Sequence, residues 1–318
     1  MTVLRRNIYN KVTIIGVDFF QKTQYNIISV GNYIGKGDKL LKHINISDSF
    51  TAQKPSYDRF AKIQTEIATC QDQDIQIDID INNRFGYTFV FLFSTLPYVA
   101  KKHHKNLKIY CNEKSFTLFK RLGVIPKDLK YQSGTDYSCV LERSAVVISQ
   151  MQDIFELVTE ITHEAPVKMS EDLSFLFISK AGEMYNNAIE HSQGTVIGSK
   201  YFKNQKGVYC FSCYDTGVGI PNKVMSSRQN ISNAIDAFRW AMIPGNSTAS
   251  GNIPRGLGLG LLKNFANANE GTIRICSGNV LYIYKNSQED YYELNHTFDG
   301  TLFEMDIIAD NDRRYILG

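Results

Sequence analysis

An acidic residue followed by two glycines ends a predicted strand in the second half of this chain. The stretch 208–214 has a strand pattern and runs directly into Asp215, Gly217 and Gly219. The two glycines allow a tight turn whose backbone can approach a flat ring, and the carboxylate can accept a hydrogen bond from an exocyclic amine. An ordinary glycine turn has the same composition, so this motif alone does not decide what the segment does.

A second glycine motif stands directly before a predicted helix. It consists of an arginine, a leucine and three alternating glycines: Arg255, Gly256, Leu257, Gly258 and Gly260. Free backbone N–H groups at the start of a helix can hold phosphate oxygens, and the helix dipole favours the negative charge. Arg255 and Lys263 could add charge-assisted contacts. The spacing is neither that of a Walker loop nor that of a Rossmann fingerprint.

Polar residues recur at helical spacing in the stretch 173–191. Glu183 and Asn187 are separated by one helical turn, and His191 follows one turn later, so the three side chains would lie on the same side of a helix. A solvated polar stripe shows the same spacing, and taken alone this motif favours that interpretation. The order of the three motifs along the chain is therefore more informative than any one of them.

Taken in this order, the motifs resemble those of the GHKL ATPase superfamily, which includes gyrase, the heat-shock chaperone ATPases, histidine kinases and anti-sigma-factor kinases. The similarity covers about 173–308 and comprises an asparagine box at 183–191, an adenine box at 215–219, a second glycine box at 256–260 and a glycine-threonine strand start at 300–301. The resemblance implies a Bergerat-type α/β sandwich, with helices over a mixed, largely antiparallel sheet, that binds ATP and Mg²⁺.

The resemblance also implies a role for individual residues. Asn187 would supply an oxygen to Mg²⁺, and Asp215 would receive the adenine amine, supported by Thr301 directly or through water. Glu183 would act as a general base that accepts a proton from an attacking water or hydroxyl. The remaining ATP-binding positions would be His191, Gly217, Gly219, Arg255, Gly256, Leu257, Gly258, Gly260 and Lys263. The segment 222–251 would form a lid over the phosphates.

Three functional hypotheses stay open. The favoured one is an ATPase whose hydrolysis or nucleotide state switches a protein partner or a dimer. The second is a serine/threonine protein kinase of the anti-sigma-factor type, because the alanine after Asn187 and the histidine at 191 are most similar to that group. The third is a signalling scaffold that senses ATP without hydrolysing it. Phosphohistidine kinases usually lack a glutamate at the position of Glu183, so this residue argues against that branch.

The first half of the chain shows strand and helix patterns in alternation, which is typical of an α/β domain. Strands are expected at 75–81 and 107–111, and helices at 89–100 and 115–122. This half resembles a STAS-like domain, but it lacks the acid-serine-serine-glycine turn that carries the phosphoacceptor of those domains. Thr88 is the available substitute, although the sequence favours a structural role for its hydroxyl.

We therefore expect a STAS-like or related α/β interaction domain at 1–144, a connecting helix at 145–168 and an ATP-binding domain at 169–318. In the latter, strands 272–276 and 280–284 are predicted to pair as a hairpin, before a last strand at 300–308. A chain of 318 residues is long enough for two such units.

Composition limits the possible partners and the compartment. The formal net charge is only +3, so nucleic acid is not indicated as a partner, and no stretch is long and apolar enough for a membrane span. The six cysteines lack the spacing of a disulfide framework. Cys210 and Cys213 have metal-like spacing, but in a strand they would point to opposite faces. A cytoplasmic protein with reduced thiols is expected.

Overall fold

The computed structural model of the chain describes 42–81, 85–144, 196–203, 207–228, 230–248 and 257–308, together with five helical positions between 175 and 188. The chain divides into two compact units, Met1–Lys39 and Leu40–Gly318. All described residues belong to the second unit. The predicted connecting helix at 145–168 lies outside the described residues.

The described elements form two groups along the chain. The first group contains β1 (Lys42–Ile46), α1 (Lys54–Thr69), β2 (Asp74–Ile79), α2 (Tyr87–Lys102), β3 (Asn106–Cys111), α3 (Glu113–Arg121) and α4 (Ser138–Ser144). The second contains β4 (Val196–Lys203), β5 (Val208–Asp215), α5 (Ile220–Ser227), α6 (Ala234–Met242), α7 (Leu257–Ala268), β6 (Thr272–Lys285) and β7 (Gln288–Ile308). The helical positions before β4 are Phe175, Ser179, Gly182, Tyr185 and Ala188.

The first group builds a parallel sheet in the order β1-β2-β3. Two successive right-handed crossovers in the same direction place α1 and α2 on one face of this sheet. The central strand alternates accordingly, with Ile75, Ile77 and Ile79 buried toward the helices and Gln76 and Asp78 only half-buried. These strands and helices confirm the α/β alternation predicted for the first half, while β1 and α1 escaped prediction.

The second group builds an antiparallel sheet in the order β4-β5-β7-β6. Its two faces belong to two hydrophobic cores. Tyr214 and Leu302 pack with the parallel sheet and its helices, whereas Phe211 and Phe303 pack with residues of α6 and α7 and with Tyr185. Because side chains alternate along a strand, each strand contributes to both cores. The molecule is therefore mixed α/β with one parallel and one antiparallel sheet.

Helix α2 lies between these sheets, and its burial explains its composition. Every residue from Thr88 to Pro97 is buried, as are Val99 and Ala100. A helix that is apolar around its whole circumference needs neighbours on all sides, and the two sheets provide them. The residues on both sides of the predicted boundary at 144 thus share one core.

The hairpin predicted across 277–279 is wrong. Residues Thr272–Lys285 form one continuous strand, and Gly278, with φ of 58°, lies at a bulge in its pairing with β7. The turn follows instead at Asn286 and Ser287, whose φ angles of 52° and 61° are both positive. Two successive residues with positive φ suit the tight turn of a two-residue hairpin. Glycine is common in β-bulges and in tight turns, so the sequence does not distinguish a bulge at Gly278 from a turn.

The segment predicted to be a lid carries more regular structure than its composition indicates. Helix α5 begins immediately after Gly219 and extends into this segment, and α6 lies entirely within it. Asn233 caps α6 by accepting hydrogen bonds from the N–H groups of Ile235 and Asp236. Among the described residues, no helix has the length and apolar character needed to cross a membrane.

Candidate functional site

The carboxylate of Asp215 lies at the end of β5 and is almost completely buried, with 6% of the residue exposed. Its Oδ1 accepts a hydrogen bond of 2.7 Å from the N–H of Gly217. Directly across the sheet, Asp215 pairs with Thr301 of β7. The strand end, the glycine turn and the glycine-threonine segment, which are far apart in sequence, therefore meet at one place.

Burial raises the pKa of Asp215 to about 7. The hydrogen bond from Gly217 and the positive charge of Lys102 act in the opposite direction, whereas the negative charge of Asp299 raises the pKa further. A buried carboxylate that is only partly compensated is costly. Such a group is suited to accept a hydrogen bond from a bound ligand, because the ligand then supplies the missing compensation.

Two glycines with positive φ shape the space around this carboxylate. Gly219 has φ of 82°, and a Cβ there would come within 3.0 Å of the Ser277 hydroxyl. Gly300 has φ of 96°, and its Cβ would come within 1.8 Å of the Asp215 carbonyl oxygen. Only glycine allows both the conformation and this approach of the two backbones. The two glycines therefore let the turn, Ser277 and the start of the glycine-threonine segment pack closely around Asp215.

Ser277 connects the parts of the site and was missed from the sequence. Its hydroxyl accepts a hydrogen bond from the N–H of Ile220 at 2.8 Å and donates to the Gly300 carbonyl at 3.0 Å. It also lies 3.0 Å from the hydroxyl of Thr301, its partner in the register of β6 and β7. The support of Asp215 by Thr301 stays a prediction. A polar residue inside the apolar pattern of β6 was the available signal.

Several predicted site residues lie outside the described residues: Glu183, Asn187, His191, Arg255 and Gly256. Nearby, Tyr185 and Ala188 are helical and buried in the core that also contains Phe211. Leu257 and Gly258 begin α7, and Gly260 lies in its first turn. The predicted helix is present, but it starts inside the glycine motif and not after it. A Cβ at Gly260 would meet nothing within 4 Å.

Lys263 of α7, a predicted phosphate ligand, contacts an acidic and two aromatic side chains of the β6–β7 hairpin. Its ammonium forms an ion pair of 2.7 Å with Glu289 and lies over the rings of Tyr282 and Tyr284, at 5.4 and 5.6 Å from their centroids. These partners belong to the end of the β6–β7 hairpin near its turn. A phosphate contact by Lys263 stays a prediction, and the ammonium would have to leave Glu289 to make it.

A buried group of possible metal ligands lies on the opposite face of the sheet. One ligand atom from each of Cys210, Glu304 and Asp306 falls within 4.8 Å of the others. The guanidinium of Arg274 already bonds both carboxylates, at 2.7 and 2.6 Å. Burial also raises the pKa of Cys210, which disfavours the thiolate. We therefore interpret this group as a compensated ion cluster. Cys213 belongs to the other core, as strand alternation predicts.

Thr88, the hydroxyl considered as a phosphoacceptor, is buried in the same region. Its Oγ1 lies 3.1 Å from the hydroxyl of Ser212 and 3.4 Å from the Cys210 sulfur. These contacts join α2 to β5 and suit the structural role that the sequence favoured.

Comparison with known proteins assigns no family to the chain. No protein-family model matches it, and no curated protein matches it at a significant level. Functional inference therefore depends on the residues of the site and on the elements that hold them.

Proposed function

We propose that the chain binds ATP with Mg²⁺ through its C-terminal half, as an ATPase of the GHKL type whose hydrolysis or nucleotide state switches a protein partner or a dimer. The observation that carries this proposal is the buried carboxylate of Asp215 beside two glycines that have positive φ. The antiparallel sheet with α6 and α7 packed on one face supports it, since the resemblance implies helices over such a sheet.

Adenine fits the hydrogen-bonding capacity of this site. Oδ1 of Asp215 accepts the hydrogen bond of the Gly217 N–H. In the part of the chain that the structure describes, Oδ2 has no such bond, so it can accept a hydrogen bond from a ligand. The exocyclic amine of adenine is such a donor, whereas guanine and hypoxanthine carry a carbonyl at the equivalent position. A carbonyl facing a carboxylate would leave two acceptors opposed, so the site should discriminate strongly against these bases.

The phosphates would lie toward the start of α7. This helix begins at Leu257, within the glycine motif, and its first N–H groups have no partner within the helix itself. In this proposal Asn187 holds Mg²⁺, and Glu183 accepts the proton of an attacking water. All six cysteines are free thiols, which agrees with a reducing compartment such as the cytoplasm.

Calorimetric titration with ATP and with inosine triphosphate, both in the presence of Mg²⁺, tests the proposal. ATP should bind, and inosine triphosphate should bind at least about tenfold more weakly, because the base then lacks its donor. Asp215→Asn should abolish the preference, since an amide NH₂ would face the amine. Asp236→Asn, at an exposed acid of α6, is the matched control. Equal affinity for both nucleotides, or no binding, would refute the proposal.

Incubation with γ-labelled ATP then separates the three hypotheses. Free phosphate that disappears in Glu183→Ala, with nucleotide binding retained, would support an ATPase. Transfer of the label to a protein would favour the kinase. Binding without either product would favour the scaffold.

A further inference from the structure

The C-terminal end of α2, in the first half of the chain, lies against the glycine turn of the candidate site. The ammonium of Lys102 donates hydrogen bonds to the carbonyls of Thr216 at 2.8 Å and Gly217 at 3.3 Å. It also bonds a carboxylate oxygen of Asp299 at 2.5 Å. An ammonium has three donor protons, and these three acceptors use all of them. Two of the acceptors belong to the turn itself.

Asp299, which directly precedes Gly300, forms hydrogen bonds through its carboxylate, its backbone N–H and its backbone carbonyl. Its second carboxylate oxygen lies 2.8 Å from Nε2 of His103. Its N–H donates to the side chain of Gln64 at 2.9 Å, and its carbonyl accepts from the hydroxyl of Tyr214 at 2.6 Å. Gln64 lies on α1 and His103 directly follows α2. Helix α1 and the end of α2 thus hold the segment that leads into Gly300.

The geometry of one peptide unit links Lys102 to the carboxylate. The unit joining Thr216 to Gly217 is planar and trans, so its C=O and N–H point in opposite directions. Lys102 holds the C=O, and the N–H donates to Oδ1 of Asp215. The ammonium therefore fixes the plane of the peptide whose other end orients the carboxylate.

We propose that Lys102 is a positioning residue for adenine recognition: by holding the peptide between Thr216 and Gly217, it directs the free oxygen of Asp215 toward the base. The proposal rests on the proposed function and adds a dependence of the nucleotide site on the first half of the chain. Sequence alone assigns Lys102 only to the C-terminal end of a helix, where its positive charge complements the negative end of the dipole.

Charge adds a second effect to this positioning. Lys102 holds down the pKa of Asp215, while burial and the charge of Asp299 raise it. Among the described residues, the other titratable groups close by are His103 beside Asp299, and Cys213 and Tyr214 on β5. Burial and the charge of Asp215 raise the pKa values of Cys213 and Tyr214. Without the ammonium, the pKa of Asp215 should rise above 7. ATP binding, which requires the carboxylate as an acceptor, should then need a higher pH.

The test is the pH profile of ATP affinity for the full chain, measured by calorimetry between pH 6 and pH 9. Lys102→Met keeps the aliphatic stem and removes the charge; it should weaken ATP binding about tenfold at pH 7.5 and shift the midpoint upward. Lys102→Arg, which keeps the positive charge, should retain most of the wild-type ATP affinity and a midpoint close to that of wild type. Lys101→Met is the matched control, because the adjacent exposed Lys101 pairs with Glu142 instead and should leave affinity and midpoint unchanged.

Asp299→Asn provides a test of opposite sign. It removes the charge that raises the pKa of Asp215 and keeps an oxygen for Lys102, so the midpoint should move downward. This variant decides the question if Lys102→Met does not fold. ATP binding that is the same in wild type, Lys102→Met and Asp299→Asn would overturn the positioning role and leave the proposed function intact. A wild-type chain that does not bind ATP would overturn the proposed function itself.

Discussion

The two sheets of this molecule differ in how many of their faces are buried. In the parallel sheet, β2 buries its isoleucines against α1 and α2, while Gln76 and Asp78 on the other face stay half-buried. In the antiparallel sheet, every residue of β5 from Tyr209 to Asp215 is buried, so both faces contact other parts of the protein. The parallel sheet is thus buried mainly on one face at β2, whereas the antiparallel sheet is buried on both faces at β5.

This difference shows how polar residues can be placed in a buried sheet. On the face of the antiparallel sheet toward the first half, polar groups compensate one another: Arg274 pairs with Glu304 and Asp306, and Glu304 also accepts a hydrogen bond from Tyr57 at 2.9 Å. On the other face, the structure gives the Asp215 carboxylate, among the described residues, one hydrogen bond, from the N–H of Gly217. The face on which the buried charges are paired contributes to stability. The Asp215 carboxylate, whose charge is only partly compensated, is suited to ligand binding.

Removing Arg274 should have the largest effect on stability. Arg274→Met leaves the buried Glu304 and the half-buried Asp306 without their cation, so the free energy of unfolding should fall by about 3–5 kcal/mol. Urea denaturation at pH 7.5 measures the change. Arg239→Met is the control, because Arg239 pairs with Asp236 on the exposed surface and should lose less than about 1 kcal/mol. Equal losses would mean that the buried cluster contributes no more than a surface pair.

Neighbouring substitutions on β2 test the one-sided burial of the parallel sheet. Ile77 is fully buried, so Ile77→Ala should cost about 3 kcal/mol through lost apolar burial and an unfilled cavity. Gln76→Ala, on the opposite face of the same strand, should change stability by less than about 0.5 kcal/mol. The same denaturation experiment compares them. A large loss in Gln76→Ala would show that this face is also covered in the folded protein.

Asp215→Asn should increase the stability of the nucleotide-free protein. The pKa of Asp215 is about 7 in the folded state, against an ordinary value of 3.8, so the folded state holds its proton more tightly than the unfolded state. Stability is then lost as pH rises from about 4 to about 7, and the full cost is present above pH 7.

Because asparagine does not ionise, the variant should be about 2 kcal/mol more stable than wild type at pH 8. The gain is smaller than the linkage maximum, since the charge-assisted hydrogen bond from Gly217 is weakened. The difference should vanish near pH 4, which thermal unfolding across this range can measure. A constant difference at all pH values would contradict the raised pKa.

Local sequence patterns predicted the elements of the first half well where the chain has a clear period. The alternation in β2 and the apolar residues at helical spacing in α2 could be recognised in the sequence because burial imposes them directly. The β6–β7 hairpin was not, because a bulge glycine and a turn glycine look alike, and because β7 runs through polar residues such as Glu289 and Asp290 before it reaches the core. There the pairing with β6 decides the structure, rather than the pattern of β7 itself.

For the candidate site, the sequence by itself predicted the glycine turn after Asp215 and a helix next to the second glycine motif, although α7 starts inside that motif at Leu257. These features follow from backbone geometry and short-range spacing, which residue type encodes directly. Only the tertiary structure decided that Ser277 joins the turn to β7, that Lys102 of α2 binds the turn, and that Gln64 of α1 binds Asp299 of β7. These contacts join residues far apart in the chain, and their geometry depends on how the two sheets pack around α1 and α2.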